Sequence, residues 1–309
     1  MACVLITGAT GFVGRAVTRR FLAGGWSVVA LSRDAAKARA RVPASVPVMT
    51  DADLLAGRAP AEGFDAVVHL AGASLAGGPW TRSRKDVLWR SRVDGTHRLT
   101  AALGRLDRPP PVLVTASGMG YYGARGDAFV RPEDPPGEDF LGRMAAAWEE
   151  AARGAQAHGA RVAMVRLGMV LDRGGGALGP LALATRWGLG TVLGDGRQYW
   201  PWMHRADVAE LFWRAATEEG FRGPVHGVAG APVTQREFAD TLARVVGRPR
   251  LWRVPAGVLR AGLGGMSALF LHGQRVEADA RLALRFSVLE TALRAACAPD
   301  HPHRTVAES

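Results

Sequence analysis

The sequence is short of cysteine, lysine and tyrosine, and each shortage excludes something. Two cysteines, Cys3 and Cys297, are too few for a disulfide framework and too far apart for a metal cluster. A stapled secreted scaffold is therefore excluded, and no metal site is expected. No stretch reaches the roughly 18 unbroken apolar residues of a membrane span. The N-terminus also lacks a basic segment ahead of an apolar core, so a cytoplasmic protein with no membrane partner is expected. Only Lys37 and Lys85 are lysines, so arginine supplies the other 37 of the 39 basic residues behind a formal net charge of +11. Such an excess would suit a nucleic-acid binder. The arginines, however, are scattered from Arg15 to Arg304 without a basic block, which points to solvated faces and no nucleic-acid partner.

What the 309 residues do contain is a rhythm. Apolar runs at 3–7, 26–31, 46–49, 66–70, 112–115 and 162–167 alternate with amphipathic stretches, notably 12–22, 81–103 and 138–157. Short buried strands separated by helices are the pattern of βαβ units and a parallel sheet, hence a doubly wound α/β (Rossmann) fold. A helix at 207–217 leads to a late strand at 225–228. After Arg248-Pro249 the alternation stops, and 258–294 reads as mainly helical. The expected division is a Rossmann domain over 1–232, with substrate-cleft insertions at about 173–200, and a small, mainly helical C-terminal module over 233–309. Residues from Asp300 onward are expected to fray.

The first strand runs into Thr7-Gly8-Ala9-Thr10-Gly11-Phe12-Val13-Gly14, with glycines spaced G-x-x-G-x-x-G before a helix. The first glycine permits a tight turn, the second lets backbone approach a pyrophosphate, and the third allows close helix–strand packing. Free amides and the helix dipole then favour phosphate. The second strand ends in Ser32-Arg33, with Lys37 one turn on, where a dinucleotide site reads the ribose. Arg33 and Lys37 suit a 2′-phosphate, so NADP(H) is expected ahead of NAD(H). Asp34 reads as a helix cap instead of the ribose acid. Leu70-Ala71-Gly72-Ala73 closes the fourth strand with small residues beside which a cofactor ribose can pass.

On these residues the chain resembles the extended and atypical short-chain dehydrogenase/reductases, in particular the subfamily known as epimerase family proteins, some members of which are described as cell-division inhibitors. The likeness is carried by the Gly8 turn, the Leu70 segment with Trp80-Thr81, Ser91-Arg92-Val93-Asp94-Gly95-Thr96, and Ser117-Gly118-Met119-Gly120-Tyr121-Tyr122-Gly123. It continues through Trp148-Glu149, Arg166-Leu167-Gly168, Gly194-Asp195-Gly196-Arg197-Gln198, Trp202-Met203-His204 and Gly273-Gln274-Arg275-Val276, and so spans nearly the whole chain. The resemblance implies a Ser or Thr after the fifth strand and a Tyr-x-x-x-Lys pair on the next helix, the Tyr serving as acid or base. That pair is missing. Four residues beyond Tyr121, Tyr122 and Tyr199 stand Arg125, Gly126 and Met203, and counting back from Glu149 puts the usual Tyr and Lys near Leu141 and Ala145.

The remaining catalytic candidates are Ser117, Tyr121 and Tyr122, either Tyr standing in as the acid with Arg125 lowering its pKa, or the pair only packing against cofactor and substrate. Arg166 is a candidate cofactor contact. Trp80, Gln198, Trp202 and His204 are expected to line a substrate cleft, although a loop Trp equally packs beneath its loop and His204 equally starts a helix. Two readings stand: an NADP(H)-dependent oxidoreductase or epimerase acting on a small organic or nucleotide-linked substrate, as a monomer or homodimer, or a non-catalytic NADP(H)-sensing regulator.

Overall fold

Runs such as Cys3-Val4-Leu5-Ile6 are apolar at every position, so they are stable only as strands covered on both faces. In the computed structural model, which describes residues 1–250 and 252–298, they form one parallel sheet with helices on either side. The tail expected to fray from Asp300 lies outside the described residues. The first half of the chain runs β1 (Cys3–Thr7), α1 (Phe12–Ala23), β2 (Ser27–Leu31), α2 (Ala35–Arg39), β3 (Val48–Met49), α3 (Asp51–Leu55), β4 (Ala66–His69), α4 (Arg82–Leu103), β5 (Val112–Gly118) and α5 (Phe140–Arg153). The second half runs β6 (Arg161–Leu167), β7 (Met169–Leu171), α6 (Leu178–Arg186), β8 (Thr191–Leu193), β9 (Trp202–His204), α7 (Arg205–Thr217), β10 (Gly223–Gly227), α8 (Gln235–Val246), β11 (Trp252–Val254), α9 (Ala256–Leu263), α10 (Ala268–Leu271) and α11 (Leu289–Cys297).

The seven-stranded sheet is ordered β10-β6-β5-β4-β1-β2-β3, all parallel, so the chain winds outward in both directions from β1. The topological switch point falls between β1 and β4, where the strand ends leave a crevice. Alternation along β1 divides the core. Val4 and Ile6 pack with Val17, Phe21 and Val208 of α1 and α7, while Cys3 and Leu5 pack with Leu99 and Leu103 of α4. Two short parallel pairs, β7 with β9 and β8 with β11, sit outside the sheet. Residues of α8 and α11 join the same apolar cluster as the sheet, through Phe238, Leu242, Leu289 and Leu293.

The third strand, expected over 46–49, is two residues long, and the mainly helical stretch 258–294 is interrupted once. A 3-10 turn (Gly264–Ser267) links α9 to α10, and residues 272–288 lie outside any helix. The reason is where their backbone bonds go. Gly273 and Arg275 carbonyls accept from Arg125 and Val130 amides, and Gln274 donates its side-chain amide to the Gly123 carbonyl. This segment therefore spends part of its backbone bonding on the 123–130 loop instead of on a helix of its own. Both cysteines are free, Cys3 buried and Cys297 half-buried. Among the described residues no helix is long and apolar enough to cross a membrane, and no cluster of His, Cys, Asp or Glu is placed to hold a metal.

Candidate functional site

The glycine-rich turn stands at the switch point between the end of β1 and the start of α1. Gly8 has φ +71°, and a Cβ there would come within 2.8 Å of the Leu70 carbonyl carbon, so backbone of the β4 end lies directly against the turn. Most helices near the sheet carry a side-chain cap: Asp34, Thr50, Thr81, Asp139 and Thr234 each accept from a first-turn amide. α1 is capped by Gly11, which has no side chain to offer, so the first-turn amides of the helix have no side-chain cap.

The end of β4 is aimed by a buried chain of side chains. Thr96 Oγ1 donates to the Arg92 carbonyl at 2.5 Å, so its oxygen accepts from His69 Nε2–H at 2.9 Å. His69 Nδ1 is then the acceptor for Thr7 Oγ1–H at 2.7 Å, and the Thr7 oxygen takes the Leu70 and Ala71 amides, each at 3.1 Å. Every proton in this chain has one place to go, which fixes both the His69 tautomer and the path of Leu70 to Ala73 along the crevice.

Arg33 and Lys37 are exposed past the end of β2, with no ion-pair partner among the described residues. Asp34 accepts from the Lys37 amide at 2.9 Å, the cap role expected of it. Arg92, in the Ser91-to-Thr96 segment that carries part of the family likeness, has a distinctive setting. It is buried, donates to the Ala73 carbonyl at 3.0 Å, lies over the Trp148 ring at 5.3 Å, and has no carboxylate partner among the described residues. Burial, with the like charge of Arg84, holds its pKa down to about 10.

Beyond β5 the candidates divide. Ser117 Oγ does not face an open cleft but donates to Glu149 Oε1 at 2.7 Å. Arg166, read as a cofactor contact, is 1% exposed and committed to the protein: Nε and Nη2 grip the two Glu149 oxygens at 2.8 Å each, and Nη1 donates to the Tyr122 hydroxyl at 2.5 Å and the Pro132 carbonyl at 2.8 Å. Burial acts to lower the Arg166 pKa, but the bonds and charge of Glu149, then Tyr122, leave it raised. Tyr122 continues the chain to His226 Nε2 at 2.6 Å. Arg125 does not lower the Tyr122 pKa as expected. It bonds the Tyr122 backbone carbonyl, while burial pushes the phenol up to about 12. Tyr121 is half-buried, with the Arg166 guanidinium 3.5 Å from its ring centroid.

Three of the four side chains expected at a substrate cleft are buried. Trp202 and His204 are buried, His204 as the cap of α7, and Trp80 is buried with its indole donating to the Leu75 carbonyl. Gln198 donates to the Leu193 and Phe270 carbonyls at 2.9 Å each. Glu149 and His226 were not anticipated as part of any site. The sequence signal existed, since each is a polar residue inside an otherwise apolar face, on α5 and in the 225–228 run.

Fold and turn define a doubly wound α/β protein with an uncapped glycine turn at its switch point. The chain belongs to the NAD dependent epimerase/dehydratase family, whose profile matches residues 4–226. The mouse (Mus musculus) epimerase family protein SDR39U1 is 34% identical over 297 residues, covering 95% of this chain and 97% of that protein. Bacillus subtilis YfhF, also an epimerase family protein, is 32% identical over 276 residues, covering 88% and 89%. The crystal structure of human epimerase family protein SDR39U1 (isoform 2) with NADPH superimposes with a TM-score of 0.84 at 31% identity, over 95% of this chain and 98% of that one.

Burial holds the pKa of both His69 and His226 down to about 4. Because these folded values lie below the unfolded 6.5, the unfolded chain binds more protons in between, so stability is whole above about pH 6.5 and is lost as pH falls toward 4. Each histidine is expected to withdraw about 3 kcal/mol across that window. Urea midpoints measured at about pH 7 and about pH 4.5 should differ accordingly, and equal midpoints would contradict the assignment.

Proposed function

We propose that the chain binds NADPH in the crevice between β1 and β4 and acts as an oxidoreductase or epimerase on a small organic or nucleotide-linked substrate. The observation that carries this reading is the uncapped Gly8-to-Gly14 turn at the switch point. Its amides would hold the pyrophosphate, Ala71 to Ala73 would border the ribose on the nicotinamide side, and Arg33 with Lys37 would hold the 2′-phosphate. The NADPH in the human relative supports the cofactor choice. When bound, NADPH supplies a hydride equivalent.

This chain's own contribution is positioning. Tyr122 is saturated by Arg166 and His226, so of the tyrosine pair only Tyr121 is left to meet a substrate. Arg92, a buried cation without a carboxylate, would attract an anionic group of cofactor or substrate beside Ala73. The segment 173–200 and the module from 233 onward would cover the substrate side. A second reading, a sensor that binds NADPH without turnover, is favoured by Leu141 and Ala145 standing where the family's acid–base pair falls and by Ser117 being tied to Glu149. Substrate-dependent NADPH oxidation across a carbonyl and sugar-nucleotide panel separates the two.

Arg33→Ala is expected to weaken NADPH roughly 10- to 100-fold, the value of one charge-assisted phosphate contact, while leaving NADH almost unchanged. Fluorescence titration of both cofactors measures it, and an equal loss for the two would refute the 2′-phosphate assignment.

A further inference from the structure

A cavity of about 420 Å³ opens at the far edge of the sheet, away from the switch point. It is lined by Phe129 and Arg131 of the loop after β5, by His226 of β10, and by Glu277 and Asp279 of the segment 272–288. β10 is the outermost strand, four places from β1, so the cavity is roughly 19 Å along the sheet from the glycine turn at ~4.8 Å per strand. Its volume lies within the ~300–1,000 Å³ usual for small-molecule sites.

The cavity contains a donor whose direction is fixed. A guanidinium has no lone pair, so Arg166 Nη1 can only donate to the Tyr122 oxygen, and the Tyr122 proton must go to its other neighbour, His226 Nε2. His226 Nε2 is therefore the bare nitrogen and Nδ1 carries the hydrogen. The residue is 5% exposed, and Nδ1 has no partner among the described residues. Nδ1–H is thus free to donate to a molecule that enters the cavity His226 lines. Around it the charges differ in sign and in availability. Asp279 is neutralised by Arg281, which grips both its oxygens. The side chains of Arg131 and Glu277 have no ion-pair partner among the described residues, and Phe129 is exposed at the rim.

We propose that this cavity is a second binding site, separate from the cofactor crevice, for a small zwitterion of the α-amino-acid class. The ligand carboxylate is met by His226 Nδ1–H and Arg131, the ammonium by Glu277, and the ligand side chain by Phe129. No bond is made or broken there.

The test titrates the full chain, with and without NADPH, with each of the common α-amino acids at millimolar concentration by ligand-observed NMR. At least one is expected to bind, and Glu277→Gln and Arg131→Gln are each expected to weaken it roughly tenfold or more, the loss of one charged contact. Both are surface changes that leave folding intact, whereas His226→Leu, expected to abolish binding, also removes a buried contact and is read only alongside them. NADPH affinity should be the same in all variants. Absence of binding by every amino acid, binding indifferent to Glu277→Gln and Arg131→Gln, or competition with NADPH would each overturn the proposal.

Discussion

Glu149→Leu is expected to destabilise the protein by about 3–5 kcal/mol, because it leaves the Arg166 cation buried without its counter-charge. Both side chains are essentially out of water, at 0% and 1% exposure, so no solvent can take over from the lost carboxylate. Arg153, 3.9 Å from Glu149 and partly exposed, adds a third charge that would also be orphaned on one side. The pair is nevertheless not worth that much in absolute terms, since a desolvated ion pair roughly breaks even against apolar residues of similar volume. The double variant Glu149→Leu/Arg166→Met should therefore be less destabilised than the single one. Denaturant melts of the two variants decide the matter, and a double variant whose loss equals the sum of both single losses would show that the pair is not coupled.

Gly14→Ala is expected to abolish NADPH binding, by at least about 100-fold, and to lower stability by about 1–3 kcal/mol through overpacking. A Cβ at Gly14 would collide with the carbonyl oxygen of Gly8 and approach its carbonyl carbon at 2.8 Å and the Ala9 Cα at 2.9 Å. All three are backbone atoms of the turn, so nothing flexible can give way. The Gly8 carbonyl also accepts the Gly11 amide at 2.9 Å, and pushing it aside unmakes the loop that presents amides to the pyrophosphate. Gly179→Ala in α6 is the internal control. No atom lies within 4 Å of its Cβ, and helix propensity makes it neutral or about 0.5–1 kcal/mol stabilising. Cofactor titrations and melting curves of the two variants provide the comparison, and NADPH binding retained in Gly14→Ala would remove the turn from the cofactor site.

The sheet and its glycine turn were legible in the sequence because their signals are local. A run of four apolar residues, three glycines at fixed spacing and an amphipathic helix all fall within residues 3–23. The partners of Arg166 were not legible, because they are set by which face of α5 turns inward and by a contact between Tyr122 and His226 across 104 residues. The tryptophans show the same limit. Trp202 has the composition of a cleft wall, yet β9 pairs with β7 and turns its indole into the core. The break at 272–288 inside the helical stretch was equally illegible, because its backbone is recruited by another loop, a long-range choice that no local pattern records.

Arg166 stands in the middle of a file that runs Ser117, Glu149, Arg166, Tyr122, His226. A guanidinium does not release its proton at any pH a folded protein meets. The file is thus a strut and not a conductor. It can hold the end of β5 and the edge strand in mutual alignment, but no proton passes through it from one to the other, and the two ends sense each other only through charge and position.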